Sequence, residues 1–462
     1  MQDKTQLGTA PVGKLLFKLA IPTIVAQLIN MLYNIVDRIY IGHIPEVGSL
    51  ALTGVGVCMP IIMVVSAFAA LTGSGGAPRA SIAMGEGNME QARKTLGGCF
   101  SLQLIVSAIL MTVLLIWNED FLMAFGASKN TLPYAENYMG IYAIGTVFVQ
   151  LTLGMNAYIT AQGKALQGML SVLIGAVCNI ILDPIFIFTF DMGVAGAAWA
   201  TILSQGISCV WVLFFLSSKH SLIRLRIKDM NLKPGIIFPC VALGAAAFIM
   251  QSSESVISVC FNTSLREYGQ DIAVGAMTIL TSVMQFAMMP LSGLAQGAQP
   301  ISSYNYGAGN TDRVKKTFKL LLTCSLIYSC VLWLAIQLMP QTFAGIFTPD
   351  TALIDFTAKA LKIYCGGMFL FGIQIACQMT FVSLGNAPSS IIVAVVRKFV
   401  LLLPLIYIMP TILEDKTMAV YSAEPVADVI AVTFTAILFT FTFKKAMKRL
   451  EEKKRKIPGG KE

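Results

Sequence analysis

Apolar runs of roughly 20 residues or more, long enough to cross a hydrocarbon core of about 30 Å as a helix, recur along the whole chain. They fall at 13–41, 50–76, 95–117, 134–160, 166–190, 194–217, 235–262, 273–298, 317–339, 359–384, 388–412 and 422–443. This pattern predicts an all-α polytopic membrane protein with twelve transmembrane helices. The first run follows about a dozen mostly polar residues, is too long for a signal-peptide core and lacks a cleavage site. It is therefore expected to remain as a membrane span.

The pattern is doubled. Residues 78–95, PRASIAMGEGNMEQARKT, align without a gap to residues 300–317, PISSYNYGAGNTDRVKKT. Pro78, Ser81, Gly85, Gly87, Asn88, Lys94 and Thr95 match Pro300, Ser303, Gly307, Gly309, Asn310, Lys316 and Thr317. The offset of 222 residues also pairs Phe125 with Phe347, Tyr142 with Tyr364, Gly145 with Gly367 and Gly163 with Gly385. A repeated unit of six helices is thus expected. Because six is even, both copies enter the membrane from the same side, so their pseudo-two-fold axis lies normal to the membrane. The expected divisions are a six-helix lobe at 1–218, a loop at 219–234, a second six-helix lobe at 235–443 and a basic tail at 444–462. Two like bundles facing each other across such an axis suit alternating-access transport, with a cavity between them near mid-membrane.

Composition agrees with a membrane protein: 56% of the 462 residues are hydrophobic, 12% are charged, and mean hydropathy is +0.73. Most of the 33 Lys and Arg lie on one side of the twelve-span arrangement, in the segments that share a side with both termini. Since basic loops are retained inside, both termini are expected to be cytoplasmic. The net charge of +9 reflects this asymmetry and the tail from Lys444 to Lys456. Such a tail calls for membrane lipid headgroups rather than nucleic acid. The ten Cys carry no Cys-x-x-Cys pair, and neither His43 nor His220 has a His or Cys neighbour. No transition-metal site or cofactor is expected, and no Ser-His or Cys-His constellation suggests an enzyme.

The chemistry must then lie in polar residues within the hydrocarbon, which are costly there and mark function by default. In the first lobe these are Asp37 in YNIVDRIYIG and Asp183 in NIILDP, with Asn30, Asn156, Asn179 and Thr201 nearby. At about 1.5 Å per residue, Asp37, Asp183 and Thr201 lie roughly 8, 12 and 10 Å inside the outer ends of their helices. Three helices therefore bring oxygen atoms to one level. Asn179 and Asp183, four residues apart, share a helix face. An all-oxygen set at Asp37, Asn179, Asp183 and Thr201 suits Na⁺, and the same carboxylates can take a proton. Two structural alternatives stand beside this reading: an ion pair of Asp37 with Arg38, and Asp183 serving backbone carbonyls loosened by Pro184.

At the repeat offset, Asp37, Asn179 and Asp183 meet Val259, Leu401 and Leu405, so cation chemistry is expected in the first lobe alone. The second lobe offers Gln251 and Glu254 in FIMQSSESV, Gln285, Gln374, Gln378 and the pair Arg397-Lys398. Glu254, with Gln251, Gln285, Met288 and Arg397, forms the expected set of substrate contacts. An acid amid Met250, Met284, Met288, Met289 and Phe286 suits bulky lipophilic cations, because methionine surfaces adapt to varied shapes. Arg397 is open to pairing with Glu254 or another acid, or to a purely structural role.

The stretches AIPTIVAQLINMLYNIVDRIYIG, GMNAYITAQGKALQGMLSVLIGAVCNIILDPIFIF, GVAGAAWATILSQ and MMPLSGLAQGAQPISSYNYGAGNTDRV resemble the multidrug and toxic compound extrusion (MATE) family, in its bacterial MepA-like branch. The likeness spans nearly the whole chain. It implies a multi-pass transporter of the bacterial inner membrane, acting as a monomer, that expels amphipathic or cationic small molecules in exchange for Na⁺ or H⁺. It also implies that Asp37, Asn179, Asp183 and Thr201, with Asn30 and Asn156, form the family's first-lobe cation site. Pro22 corresponds to a first-helix proline whose bending has been proposed to follow cation binding. Glu254 is similar to a seventh-helix acid of other branches, although the residues around it differ, and the early seventh helix lacks the proline usual there. The alternatives are a flippase for lipid-linked precursors, which calls for a strongly cationic cavity, and a membrane-embedded enzyme.

Overall fold

A computed structural model describes residues 6–455. Residues 1–5 and 456–462, which belong to the expected first lobe and basic tail, lie outside the described residues. The long helices are α1 (Val12–Gly42), α2 (Gly48–Gly85), α3 (Met89–Ile116), α4 (Leu132–Ala161), α5 (Ala165–Thr189) and α6 (Gly193–Ser217) in the first lobe. After a connecting segment, the helical stretch Pro234–Gly307 is interrupted at Gln270, whose φ of 56° and ψ of −154° no helix accommodates. It is two spans, α7 (234–269) and α8 (271–307). These are antiparallel, because Cys240 of α7 and Tyr304 of α8 both touch the end of α2 that includes Gly75 and Gly85. The remaining spans are α9 (Thr311–Leu338), α10 (Thr351–Ser383), α11 (Ala387–Ile412) and α12 (Lys416–Arg455). The fold is thus twelve transmembrane helices in two bundles.

Several helices outrun their apolar runs. The last is the clearest: α12 has 40 residues, about 60 Å of helix, where the apolar run spans 422–443. Its polar end continues as helix, and Glu451 there pairs with Lys315 of α9 at 3.0 Å. Helical hydrogen bonds need no apolar surroundings, so a span defined by hydropathy marks the hydrocarbon-embedded part of a helix and not its ends.

The doubled motif forms the joint between the lobes. A Cβ on Gly85 would meet the Tyr304 carbonyl oxygen at 1.9 Å, and one on Gly307 would meet the Ile82 carbonyl oxygen at 2.0 Å. Tyr304 and Ile82 are themselves repeat partners, so the two contacts are one contact seen twice about the pseudo-two-fold axis. Small residues of this kind let membrane helices approach backbone to backbone. Within each lobe the equivalence holds as well: Ser81 Oγ donates to the Ala161 carbonyl at 2.8 Å and Ser303 Oγ to the Ser383 carbonyl at 2.9 Å. Gly87 and Gly309, at φ 78° and 75°, turn the chain into α3 and α9, a left-handed conformation that glycine adopts without steric cost.

Closure is confined to the end of the molecule that carries this joint and the first and last described residues. There the cores are shared: Cys240 packs among Ala77, Leu96 and Tyr158, and Leu16 and Leu19 pack with Leu294, Ala298 and Ile301. Toward the other end each lobe has its own core, around Ile41, Val55 and Tyr138 in the first and Phe261, Leu280 and Tyr421 in the second. The face of α7 shows the change. Cys240, Gly244 and Phe248 touch the first lobe. Gln251, Glu254, Ser258 and Asn262 continue that face at about 100° per residue, and all four are exposed. Similarly, Phe286 lies seven residues before Gly293, which abuts Ile24 of α1, and is 43% exposed. The lobes form a V, closed at the terminal end and open at the other.

Overpacking the joint should spring it open. Gly307→Leu is expected to cost the closed end about 1–3 kcal/mol. The check is maleimide labelling of Cys240, buried at the seam, with the other cysteines replaced: slow in the parent and at least severalfold faster in the variant. Unchanged labelling would contradict the closure.

Candidate functional site

In the first lobe, α5 delivers Asn179 and Asp183 from one face, and its local irregularity follows from Pro184. Proline has no N–H to give to the turn before it, and Ile185–Thr189 adopts the wider π-helical spacing, a feature frequent at functional sites. Asp183, Asn179 and Asp37 are all buried. Asn179 Nδ2 donates to Asp183 Oδ1 at 3.2 Å, and the carboxyl groups of Asp37 and Asp183 lie within hydrogen-bonding reach of each other. Thr201 of α6 meets Tyr138 of α4, and Gln205, one turn further along α6, meets Tyr33 of α1. Both expected structural alternatives lose ground: among the described residues Asp37 forms no ion pair with Arg38, which is exposed, and Asp183 bonds to a side chain.

The set has a deficit of partners. Asp37 Oδ1, Asp183 Oδ2, Asn179 Oδ1 and Gln205 Oε1 are buried oxygens without a hydrogen-bond partner. Buried polar atoms are nearly always satisfied, and the free oxygens of the neighbouring Asp37 and Asp183 carboxyl groups are what a proton or a hard cation requires. Not every expected residue joins them. Asn30 lies on the same face of α1 as Asp37, two turns or about 10 Å toward the closed end. Asn156 is elsewhere: its Nδ2 donates to the Gly168 carbonyl at 3.3 Å, about 17 Å along α5 from Asn179. Tyr33, Tyr138 and Gln205 were not singled out in the sequence. Of these only Gln205 carried a signal, standing four residues from Thr201 on the same helix face.

The second lobe, where no cation site is expected, also brings carboxylates together, here paired with basic side chains. Arg397 donates from Nε to Asp428 Oδ1 at 3.0 Å, and its Nη2 lies 2.8 Å from the same oxygen and 3.7 Å from Glu424. Its guanidinium also stands over the Phe371 ring, 5.3 Å from the centroid. Lys398 Nζ pairs with Glu254 at 2.5 Å. Consecutive residues ordinarily point about 100° apart, but Val396–Leu402 is a second π-helical segment, and both basic residues are buried. Glu424 and Asp428 are spaced like Asn179 and Asp183, on one face of α12. Glu424 and Asp428 were not singled out in the sequence; Glu424 lies two residues inside the apolar run that begins at 422, whereas α12 begins at Lys416.

The expected substrate contacts are divided by this arrangement. Gln251, Glu254 and Gln285 are exposed, the first two on the open face of α7. Arg397 is buried behind them against α12, and Met288 packs on the second-lobe core.

The MatE family model matches the chain twice, at residues 22–185 and 245–408, one copy in each lobe. A curated relative, the multidrug export protein MepA of Staphylococcus haemolyticus (strain JCSC1435), is 24% identical over 396 residues, 86% of each chain. Among solved structures, one described as the outward-facing conformation of a multidrug resistance MATE family transporter superposes with a TM-score of 0.89 at 21% identity, covering 96% of this chain and 98% of that one. Another, the MATE multidrug transporter DinF-BH, gives 0.86 at 31% identity over 95% and 96%. With its two lobes each matching the family's domain, the chain belongs to the MatE family.

Proposed function

We propose that the protein is a cation-coupled antiporter that exports amphipathic or cationic small molecules by alternating access, with Na⁺ or H⁺ as the coupling ion. The observation that carries this reading is the unsatisfied oxygen set of Asp37, Asn179, Asp183 and Gln205, on helices that flank a cleft closed at one end only. The names of the relatives, a multidrug export protein and multidrug transporters, support export as its direction. Basic loops favour the inside, and Arg79, Arg93, Lys164, Arg313 and Lys315 lie toward the closed end, which makes that end cytoplasmic, both termini included. The open V then faces outward, in the membrane of a bacterial cell.

In this account, a cation or proton entering from outside binds between Asp37 and Asp183. It removes the repulsion between two buried carboxylates and supplies the missing partner of their free oxygens. The gain differs between conformations only if the helices that hold the site move. Helix α1 has the means. Pro22 deprives it of one internal hydrogen bond, and beside it Thr23 Oγ1, which lies near the Leu19 and Ala20 carbonyls, is closest to the Gly293 carbonyl across the lobes, to which it can donate at 2.6 Å. A flippase for anionic lipid precursors is disfavoured by the second lobe, where Arg397 and Lys398 are each already paired with acids.

Dye efflux from vesicles with an imposed Na⁺ or proton gradient tests the reading. Asp183→Asn should cut gradient-driven efflux by roughly tenfold or more, a usual size for site-to-site coupling, with insertion and folding retained; efflux at the parent rate and coupling would refute it. Thr23→Val should remove the tie to Gly293, shifting the balance of states by about 1 kcal/mol. The expected result is severalfold faster labelling of Cys240 from the closed end; unaltered labelling would count against the tie.

A further inference from the structure

We propose that Lys398 is a tethered cation parked on Glu254, and that the positive charge of a substrate entering the cleft takes its place there. The inference rests on the reading that the cleft receives organic cations, and names the group that would discriminate among them. Its starting point is the unequal exposure of the pair: the Glu254 side chain is 54% exposed and that of Lys398 5%. The carboxylate is reachable from the cleft and the ammonium lies behind it. Glu254 stands six residues beyond Phe248, the aromatic contact with Phe68 of the first lobe, about 9 Å outward from it along α7. That is the floor of the V, with Gln251 and Ser258 beside it and exposed Phe286 on α8.

Charge supplies the second argument. Glu254, Glu424 and Asp428 face Arg397 and Lys398, so the ionised cluster holds three negative charges against two positive ones. An uncompensated charge on a largely buried cluster inside a membrane protein is costly. One more positive charge balances the group, and the carboxylate of this cluster that the cleft exposes is Glu254. The displaced ammonium also has somewhere to go: Asp428 Oδ2 is buried without a partner, and Lys398 already acts electrostatically on both Glu424 and Asp428. Lysine is suited to such a move, being a compact charge on a flexible four-carbon stem. The exchange breaks the Lys398–Glu254 contact, forms a substrate–Glu254 contact and turns Lys398 toward Asp428. A neutral substrate cannot drive it, so the pair selects monovalent organic cations.

Equilibrium binding of ethidium, a monovalent cation, and of Nile red, a neutral dye, to the purified protein in sodium-free buffer tests the inference. Lys398→Met removes the resident competitor and should tighten ethidium binding by about tenfold, whereas Glu254→Gln should weaken it by a similar factor. Neither should move Nile red more than about twofold, and the double variant should behave like Glu254→Gln. Should Lys398→Met fail to fold, Lys398→Gln is expected to tighten ethidium in the same direction, and Lys398→Arg to restore parent-like binding. Ethidium binding that is unchanged or weaker in Lys398→Met and Lys398→Gln, with Nile red still bound, overturns the tethered cation while leaving drug export standing. A parent protein that binds neither dye overturns both.

Discussion

A carboxylate inside a membrane protein must find a positive charge or a proton, because the surroundings stabilise it far less than water does. Each lobe places acids in its interior, and the two lobes meet this constraint in different ways. In the first, Asp37 and Asp183 face each other across α1 and α5 with amide and hydroxyl groups around them and free oxygens left over. Among the described residues no basic side chain forms an ion pair with them, and in the proposed mechanism the balancing charge comes from solution. In the second, α11 brings Arg397 and Lys398 to Asp428, Glu424 and Glu254. The chain supplies its own cations, and these leave the cluster one charge short. A duplicated scaffold thereby gains two unlike halves, which under the proposed function respond one to the coupling ion and the other to the charge of a substrate.

The joint at the closed end lets that difference act on the whole molecule. Gly85 against Tyr304 and Gly307 against Ile82 bring helices of both lobes to backbone contact about one axis, a fit that either holds or separates and does not stretch. Thr23, one residue after Pro22, ties α1 across this joint to Gly293, and α1 also carries Asp37 some 21 Å away. An ion that changes how α1 packs on α5 therefore acts on the same helix that helps hold the lobes together.

Much of this was legible in the chain because the relevant physics is local. The spans follow from apolar length, and the doubling from residues whose roles are now evident: Gly85 and Gly307 at the joint, Gly87 and Gly309 in left-handed turns, Ser81 and Ser303 bonding to the following hairpin. Asp37, Asn179 and Asp183 were found because a charge in hydrocarbon stands out. What escaped depended on tertiary packing or on helix ends. Asn156 was a candidate as a polar residue in an apolar span and through the family resemblance, yet its helix carries it to the Gly168 carbonyl. Glu424 falls at the edge of its apolar run, which is not a helix boundary, while Asp428 lies inside the run and was legible there; without the two the partner of Arg397 was open. Tyr33 and Tyr138 are aromatic residues among many, and only the folded arrangement brings them beside the carboxyl pair.

The most direct test of the claim that the first-lobe carboxyl pair governs the V is the distance between its arms. Spin labels at Ser49 and Glu267, exposed residues of α2 and α7 toward the open end, report it by pulsed electron–electron double resonance in a background without native cysteines. The account predicts that adding the coupling ion shifts the distance distribution of the parent. With both Asp37→Asn and Asp183→Asn in place, the distribution should no longer respond. A doubly substituted protein whose distances still follow the ion as the parent's do would contradict it.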